Sequence, residues 1–429
     1  MPTNRAYLYE FRGTQTQMLD SVRTTIPGNV KFSLPPDAHP GLYRIVVGPN
    51  NFWDFIFNKE NIRMRTHYAS PRDSLKVIES VENTLFVKYM SYFITLNRKA
   101  DAISRLMTLY EKNSEFFKSL NRELMNLRME DPQLISREII KEHPGSYVAR
   151  FLKVGQNPIV PVGLGKNQEI EYVIEHFFDE TEFSDSSLIY SPPLITKIRT
   201  YFGLFEQAFP PAESEGGMIK GLDRLMSSAA VSEPVYDFIL ADLADGFERS
   251  EYETFFAYLT ETYLLDAGCT NEERSTELAE VLASIQKTAI GNKAPEIILP
   301  LADGPVIMSD IPEKFVLVLF WASWCPHCNE ILPDFKKLYE AYHPAGFEIV
   351  AISIDKEKAA YTSALAKGQY PWINYSELKG WDCSIAYDYG IRATPTMVLL
   401  DGERKIVAKP RNLGILVETL NQQGLRPIR

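Results

Sequence analysis

Two of the chain's four cysteines, Cys325 and Cys328, flank a Pro326-His327 dipeptide as a C-x-x-C pair. Thiols at this spacing serve two chemistries: exchange with another disulfide, or half of a tetrahedral zinc site. Zinc would need two further ligands at suitable spacing. The sequence holds no second C-x-x-C and no H-x-x-x-H. The flanks favour redox chemistry as well. Phe315-Val316-Leu317-Val318-Leu319-Phe320 is a continuous apolar run, as expected of a strand buried on both faces. After the pair, Ile331, Phe335, Leu338 and Tyr342 fall on one face of a helix running from Cys325 or Pro326 to about Tyr342. A C-x-x-C between a strand and a helix is the setting of thiol exchange.

That placement assigns an order to the two thiols. Cys325 is expected at the helix N-terminus, where unpaired N–H groups and the helix dipole favour an anion. Its thiol pKa should fall, making it the attacking thiolate. Cys328 lies one turn further in, should be more buried, and would resolve the mixed disulfide. Trp324 flanks the pair and is expected to shield it from water, plain packing of the strand end being the simpler reading. Pro333 removes a backbone donor and should kink the helix. Cys269 reads as a packing or loop residue. Cys383 is weighed as a second redox partner against simple packing. His143 and His176 read as surface or capping residues, so no metal is expected.

The elements that must position this pair occupy the last third of the chain. Phe347 to Ile354 is the next strand and Lys356 to Lys367 a helix. Thr396 to Leu400, the Asp401-Gly402 turn and Lys405 to Ala408 form a hairpin, and Leu413 to Leu420 is a last helix. Upstream, about residues 5 to 68 read as an antiparallel sheet or sandwich, with strands at Ala6–Tyr9, Val30–Leu34, Tyr43–Val47, Phe52–Phe57 and Ile62–His67 between Gly- and Pro-rich turns. From about Pro71 to Gln286 the pattern is helical. Ile103, Leu106, Tyr110, Phe117, Leu120, Leu124 and Leu127 recur at spacings of three, four or seven. The expected division is a β-rich module over 1–69, an all-α domain over 70–289 and an α/β domain over 290–429. A length of 429 residues suits two to three domains.

Composition narrows the partners. A net charge of −11 and a pI near 5.3 argue against nucleic-acid binding, which wants a basic face. The longest apolar run, Phe315 to Ala322, falls short of the roughly 18 residues of a membrane span. Met1-Pro2-Thr3-Asn4 leads straight into strand-like sequence. This fits a cytosolic protein, or one whose export signal or lipid anchor precedes this sequence.

Phe320-Trp321-Ala322-Ser323-Trp324-Cys325-Pro326-His327-Cys328 resembles the active site of the thioredoxin family. Gly291 to Pro295, followed by a strand over Glu296–Leu299, resembles the opening of its TlpA-like branch, the bacterial extracytoplasmic thiol–disulfide oxidoreductases. Tyr389-Gly390-Ile391-Arg392-Ala393-Thr394-Pro395-Thr396 is similar to the family's substrate-facing loop. The resemblance implies that Pro395 follows a cis bond and that the Thr394 backbone pairs with substrate. It covers roughly residues 290 to 429. The β segment and the helical middle are similar to modules fused to TlpA-like proteins in bacterial cell envelopes. Two positions depart from the pattern. Leu319 stands where many thioredoxins carry a buried acid, and Ile331 where TlpA-like reductases often carry a glutamate. The proton acceptor for Cys328 is then left to water or to a carboxylate elsewhere, such as Asp355. The Pro-His dipeptide resembles that of the oxidant DsbA. This implies an imidazole at His327 that stabilises the Cys325 thiolate, or a solvated histidine of little effect.

The expected function is thiol–disulfide oxidoreductase chemistry on protein disulfides or thiols outside the cytoplasm, periplasmic or anchored at the cell envelope. It uses Cys325 and Cys328, no cofactor, protein substrates and a redox partner protein. The alternative is an envelope binding or scaffold protein whose N-terminal two-thirds carries the main role. Peroxidase activity is the third reading. It needs a lone cysteine in a P-x-x-x-[ST]-x-x-C setting, and no such proline precedes Cys325.

Overall fold

The computed structural model describes residues 5–25, 28–129, 133–248, 250, 252–265, 272–302 and 304–428. Cys269 lies outside the described residues. The protein is multidomain: an antiparallel sheet comes first, helices follow, and an α/β thioredoxin-like domain ends the chain. By packing it divides into two compact units, Met1–Ile239 and Leu240–Arg429.

In the first unit, β1 (Arg5–Arg12), β2 (Gln15–Arg23), β3 (Gly41–Gly48) and β4 (Asn51–Phe57) form an antiparallel sheet in the order β2-β1-β3-β4. Side chains alternate across a strand, and here both faces are used. Leu8, Tyr43 and Phe55 are buried on one face, and Phe11, Leu42 and Ile56 on the other. The expected strand over Val30–Leu34 is irregular backbone instead. Its Phe32 and Leu34 pack over the Leu8, Tyr43 and Phe55 face as a cover, which explains the apolar residues without any ladder pairing. The β2 strand escaped the sequence reading because it is mostly exposed on both faces and its sequence shows no apolar–polar alternation. A short pair, β5 (Arg63–Arg65) and β6 (Lys76–Glu79), follows.

The helices of this unit are α1 (Val81–Met107), α2 (Glu115–Met129), α3 (Leu134–Glu142), α4 (Tyr147–Val154), α5 (Lys166–His176), α6 (Pro193–Ala208) and α7 (Pro211–Ala229), with α8 (Glu233–Phe247) running across the division. The sheet is joined to α1 through Asn83, which accepts from the Ile56 N–H at 2.8 Å and donates to the Ile56 carbonyl at 2.7 Å. Next to it, the buried Glu82 carboxylate accepts from the Tyr147 and Val148 N–H groups at 2.8 and 2.9 Å. It thereby satisfies the open N-terminus of α4. The apolar pattern from Ile103 to Leu127 spans two helices rather than one. Ser114 accepts from the Phe117 N–H at 3.1 Å and starts α2 afresh, while Leu106 and Tyr110 stay exposed.

In the second unit, α9 (Glu253–Leu259) continues as a π-helical turn over Thr260–Leu265, and α10 (Glu272–Lys287) follows. Then come the hairpin β7 (Ile298–Leu301) and β8 (Gly304–Ile307), and β9 (Phe315–Trp321), α11 (Pro326–Tyr342), β10 (Phe347–Ser353), α12 (Lys358–Gly368), β11 (Ile373–Ser376), α13 (Ser384–Asp388), β12 (Thr396–Leu400), β13 (Ile406–Ala408) and α14 (Leu413–Gln422). The sheet order is β11-β10-β9-β12-β13. Every residue of β9 is buried, which is why its sequence is apolar without alternation. It pairs parallel with β10, Phe315 opposite Phe347, and antiparallel with β12, Thr396 opposite Phe320. Full burial of each such side chain stabilises by about 1.5–3 kcal/mol.

Patterning changes near residue 290, but packing divides the chain at 239 and 240. The helices before 290 are tied to the sheet domain by side chains. Lys409 pairs with Glu253 and donates to Thr288 Oγ1. The Arg411 guanidinium lies 4.2 Å from the Tyr252 ring centre. Lys287 pairs with Asp388 at 3.2 Å.

Candidate active site

The end of β9 delivers Ala322-Ser323-Trp324 to the start of α11. Cys325 is the N-cap of that helix, in extended conformation, with Pro326 at the first helical position where a missing N–H costs nothing. Its sulfur accepts from the Cys328 N–H at 3.4 Å. On the other side, Cys325 Sγ lies 3.3 Å from the Thr394 carbonyl oxygen, to which the thiol donates. The Thr394–Pro395 bond is cis. Both thiols are free and buried, Cys328 fully so.

The two thiols are driven apart. Burial would raise the Cys325 pKa, but hydrogen bonds from the Cys328 thiol and N–H, from the Thr394 side chain and from the His327 backbone N–H outweigh it. The Cys325 thiol is held below its ordinary value. Burial pushes the Cys328 thiol up, and its bond to the Cys325 sulfur adds to the shift. Such a pair has one thiol poised as a nucleophile and the other held protonated until it is needed.

Asp355, at the end of β10, holds the loop before the pair. It accepts from the Ser323 N–H at 3.0 Å, the Ser323 hydroxyl at 2.6 Å and the Ser353 hydroxyl at 2.6 Å. The Asn329 amide closes the same turn, donating to the Ser323 carbonyl at 2.9 Å. These bonds make Asp355 an anchor of the loop. The sequence offered Asp355 only as a stand-in proton acceptor, and Ser323 carried no signal beyond its place in the motif.

The other expected site residues are placed as follows. Trp324 is 56% exposed, and its ring meets Trp381 edge-to-face at 6.5 Å. More than half of its surface is therefore open to solvent. The His327 imidazole is 81% exposed and lies 3.6 Å from Glu330. The His327 backbone N–H is the last and smallest of the groups that lower the Cys325 thiol. Leu319 is buried in the sheet, and Ile331 packs partly buried against the same core. Cys383 is fully buried in that core, and burial raises its thiol. These are the marks of a packing residue. Trp381 was missed. It lies two residues before Cys383, in the 3-10 turn Gly380–Asp382, which is too short for a periodicity to reveal it.

A further group of possible ligands, Glu313, His343 and Glu348, lies where the segment before β9 meets the start of β10 and the end of α11. Two of the three already have partners. His343 Nδ1 bonds the Phe347 carbonyl at 2.9 Å, and Glu348 accepts from the Tyr339 hydroxyl at 3.1 Å and from its neighbour's N–H.

Residues 290–409 match the AhpC/TSA family. Over 128 residues, 30% of this chain and 72% of the relative, the sequence is 29% identical to the thiol–disulfide oxidoreductase ResA of Bacillus cereus. It is also 28% identical over 102 residues to tryparedoxin of Trypanosoma brucei brucei, covering 23% of this chain and 69% of that protein. Among solved structures, a thioredoxin-like protein from Bacteroides caccae aligns over 62% of this chain and 98% of its own, at 21% identity and a TM-score of 0.48.

Proposed function

Because the chain is a thioredoxin-family thiol–disulfide oxidoreductase, with an AhpC/TSA domain over residues 290–409, we infer that Cys325 and Cys328 carry its reaction and that its substrates are protein disulfides or thiols outside the cytoplasm. The observation that carries this reading is the Cys325 sulfur itself. It caps α11, its thiol is lowered, and it lies 3.3 Å from the Thr394 backbone beside Pro395.

In the reducing direction, the Cys325 thiolate attacks one sulfur of a substrate disulfide. A Cys325–substrate bond forms, the substrate S–S bond breaks, and the departing sulfur takes a proton. Cys328 then loses its proton and attacks Cys325 Sγ, forming the Cys325–Cys328 disulfide and releasing the second substrate thiol. Two electrons pass from the protein to the substrate. The oxidising direction is the reverse, and a redox partner protein restores the starting form. The neighbouring Thr394 backbone offers an extended substrate strand somewhere to pair, while Asp355 holds Ser323 and hence the approach to Cys325. The TlpA-like pattern of the motif and its flanks supports a place at the cell envelope or in the periplasm.

The test is mixed-disulfide trapping. With a disulfide-bonded protein such as insulin, Cys328→Ser should accumulate a covalent complex through Cys325, and Cys325→Ser should neither trap nor turn over. Peroxide consumption without insulin reduction would overturn the reading in favour of a peroxidase.

A further inference from the structure

A cavity of about 640 Å³ opens within the second unit. One wall is α10, through Glu280, Ala283, Ser284 and Lys287, and the other carries Trp381, Tyr387 and the segment Gly390–Arg392. The two walls are fitted to each other. Gly390 has φ +66°, and a Cβ there would lie 2.2 Å from Ser284 Oγ. Glycine at 390 is thus required both by its left-handed backbone and by the approach of α10.

The lining points to an apolar occupant. Val281 and Ile391 are buried at the base, while Trp381 is 46% and Tyr387 73% exposed. Three of the four charged lining residues are paired, Lys287 with Asp388 at 3.2 Å and Arg392 with Glu248 at 3.7 Å, and Glu280 is the fourth. An anionic ligand would have to break these pairs. An aromatic or large aliphatic side chain would instead cover exposed rings, the usual way an interface gains affinity.

Position completes the argument. Gly390–Arg392 runs on through Ala393 to Thr394, whose carbonyl lies 3.3 Å from Cys325 Sγ. Trp381 meets Trp324, the residue before Cys325. An extended chain advances about 3.3 Å per residue. A strand lying along Ile391–Thr394 with its cysteine at Cys325 would therefore bring a side chain roughly two to four residues away over the cavity.

We propose that this cavity is a specificity pocket of the redox site. It seats an aromatic or large aliphatic residue of a client polypeptide, close in sequence to the client's reactive cysteine, and α10 forms one of its walls. This rests on the reading of Cys325 as the nucleophile. It adds that a helix outside the AhpC/TSA match of residues 290–409 takes part in choosing substrates.

The test compares two disulfide-bonded peptides that differ only three residues from the cysteine, one with tryptophan there and one with glycine. The native protein should favour the tryptophan peptide by roughly tenfold in kcat/KM, the effect of burying one apolar side chain, and the difference should lie in KM. Tyr387→Ala should shrink that ratio. Ala283→Trp, which fills the cavity from the α10 side, should bring it near one. Because each ratio is measured within one variant, a general loss of activity does not mimic the effect. Equal handling of both peptides by the native protein, or a ratio unchanged in both variants, would overturn the pocket and leave the redox reading intact. Reaction with neither peptide, alongside no reduction of insulin, would overturn the redox reading instead.

Discussion

Ser323 is tied to Asp355 twice, by its hydroxyl at 2.6 Å and by its backbone N–H at 3.0 Å. The turn that carries Cys325 therefore hangs from the end of β10 rather than from α11 alone. Asp355→Ala strands the Ser323 N–H and should destabilise the protein by about 1–3 kcal/mol, the range for leaving a buried donor unsatisfied. A shifted nucleophile also loses rate, up to about 100-fold for a displacement near 1 Å. Asp355→Asn keeps one acceptor and should fall between. Denaturant unfolding and insulin reduction measure the two effects. An Asp355→Ala protein with native stability and rate would show that the anchor is dispensable.

The opposed shifts of the two thiols predict a pH order for alkylation. Thiolate forms as pH rises through a group's pKa. Cys325, lowered, should therefore reach half-maximal labelling below the free-thiol value of about 8.5, and Cys328, raised, only above it. Mass spectrometry of iodoacetamide-treated protein across pH separates the sites. Faster labelling of Cys328 at neutral pH would reverse the assigned roles.

The His327 backbone N–H is the smallest of the groups that lower the Cys325 thiol, so its substitutions should divide by backbone chemistry. His327→Ala keeps that donor and should leave the reduction potential close to native. His327→Pro removes it. One hydrogen bond to a charged group is worth about 1.5–3 kcal/mol, which converts to roughly 30–60 mV in this two-electron couple. The proline variant should therefore have a higher Cys325 pKa and a more negative potential. Glutathione equilibration reads the potential directly. A large shift in His327→Ala would return the role to the imidazole.

Asn83 satisfies both backbone groups of Ile56 in a buried setting. Asn83→Ala leaves a donor and an acceptor without partners, at about 1–3 kcal/mol each. Asn83→Asp keeps the acceptor and should cost less. Urea unfolding followed by tryptophan fluorescence checks the ranking, since Trp53 lies in the same sheet.

The helices preceding residue 290 are bound to the sheet domain through Lys409, Arg411 and Lys287. A fragment over 240–429 should melt at a higher temperature than one over 290–429. Calorimetry of the two fragments decides it. Equal melting temperatures would show that these contacts add nothing to stability.

The redox domain was legible because its signals are local and strong. The seven buried residues of β9, the C-x-x-C at its end and the one-sided apolar pattern of α11 each specify one geometry. What the sequence concealed depends on partners distant along the chain. The run Phe32 to Leu34 looks like a strand because it is apolar, but the face it covers belongs to Leu8, Tyr43 and Phe55. Tyr110 keeps helical spacing with Phe117 although Ser114 restarts the helix between them. In the site, the motif located Cys325 and Cys328. Nothing local tells that Ser323 is held by Asp355, or that Ser284 closes on Gly390 more than a hundred residues away.

Strand β2 forms one edge of its sheet. An edge strand offers unpaired N–H and C=O groups to any other chain that can dock alongside. In β2 that invitation is withdrawn twice. Its pairing with β1 is interrupted between Leu8 and Tyr9, where the register shifts. The acidic Asp20 and the basic Arg23, both exposed, would also have to be brought against a neighbouring strand. Met18 and Leu19 are exposed on the same strand, so an apolar residue in place of Asp20 would extend that apolar surface and favour edge-to-edge self-association.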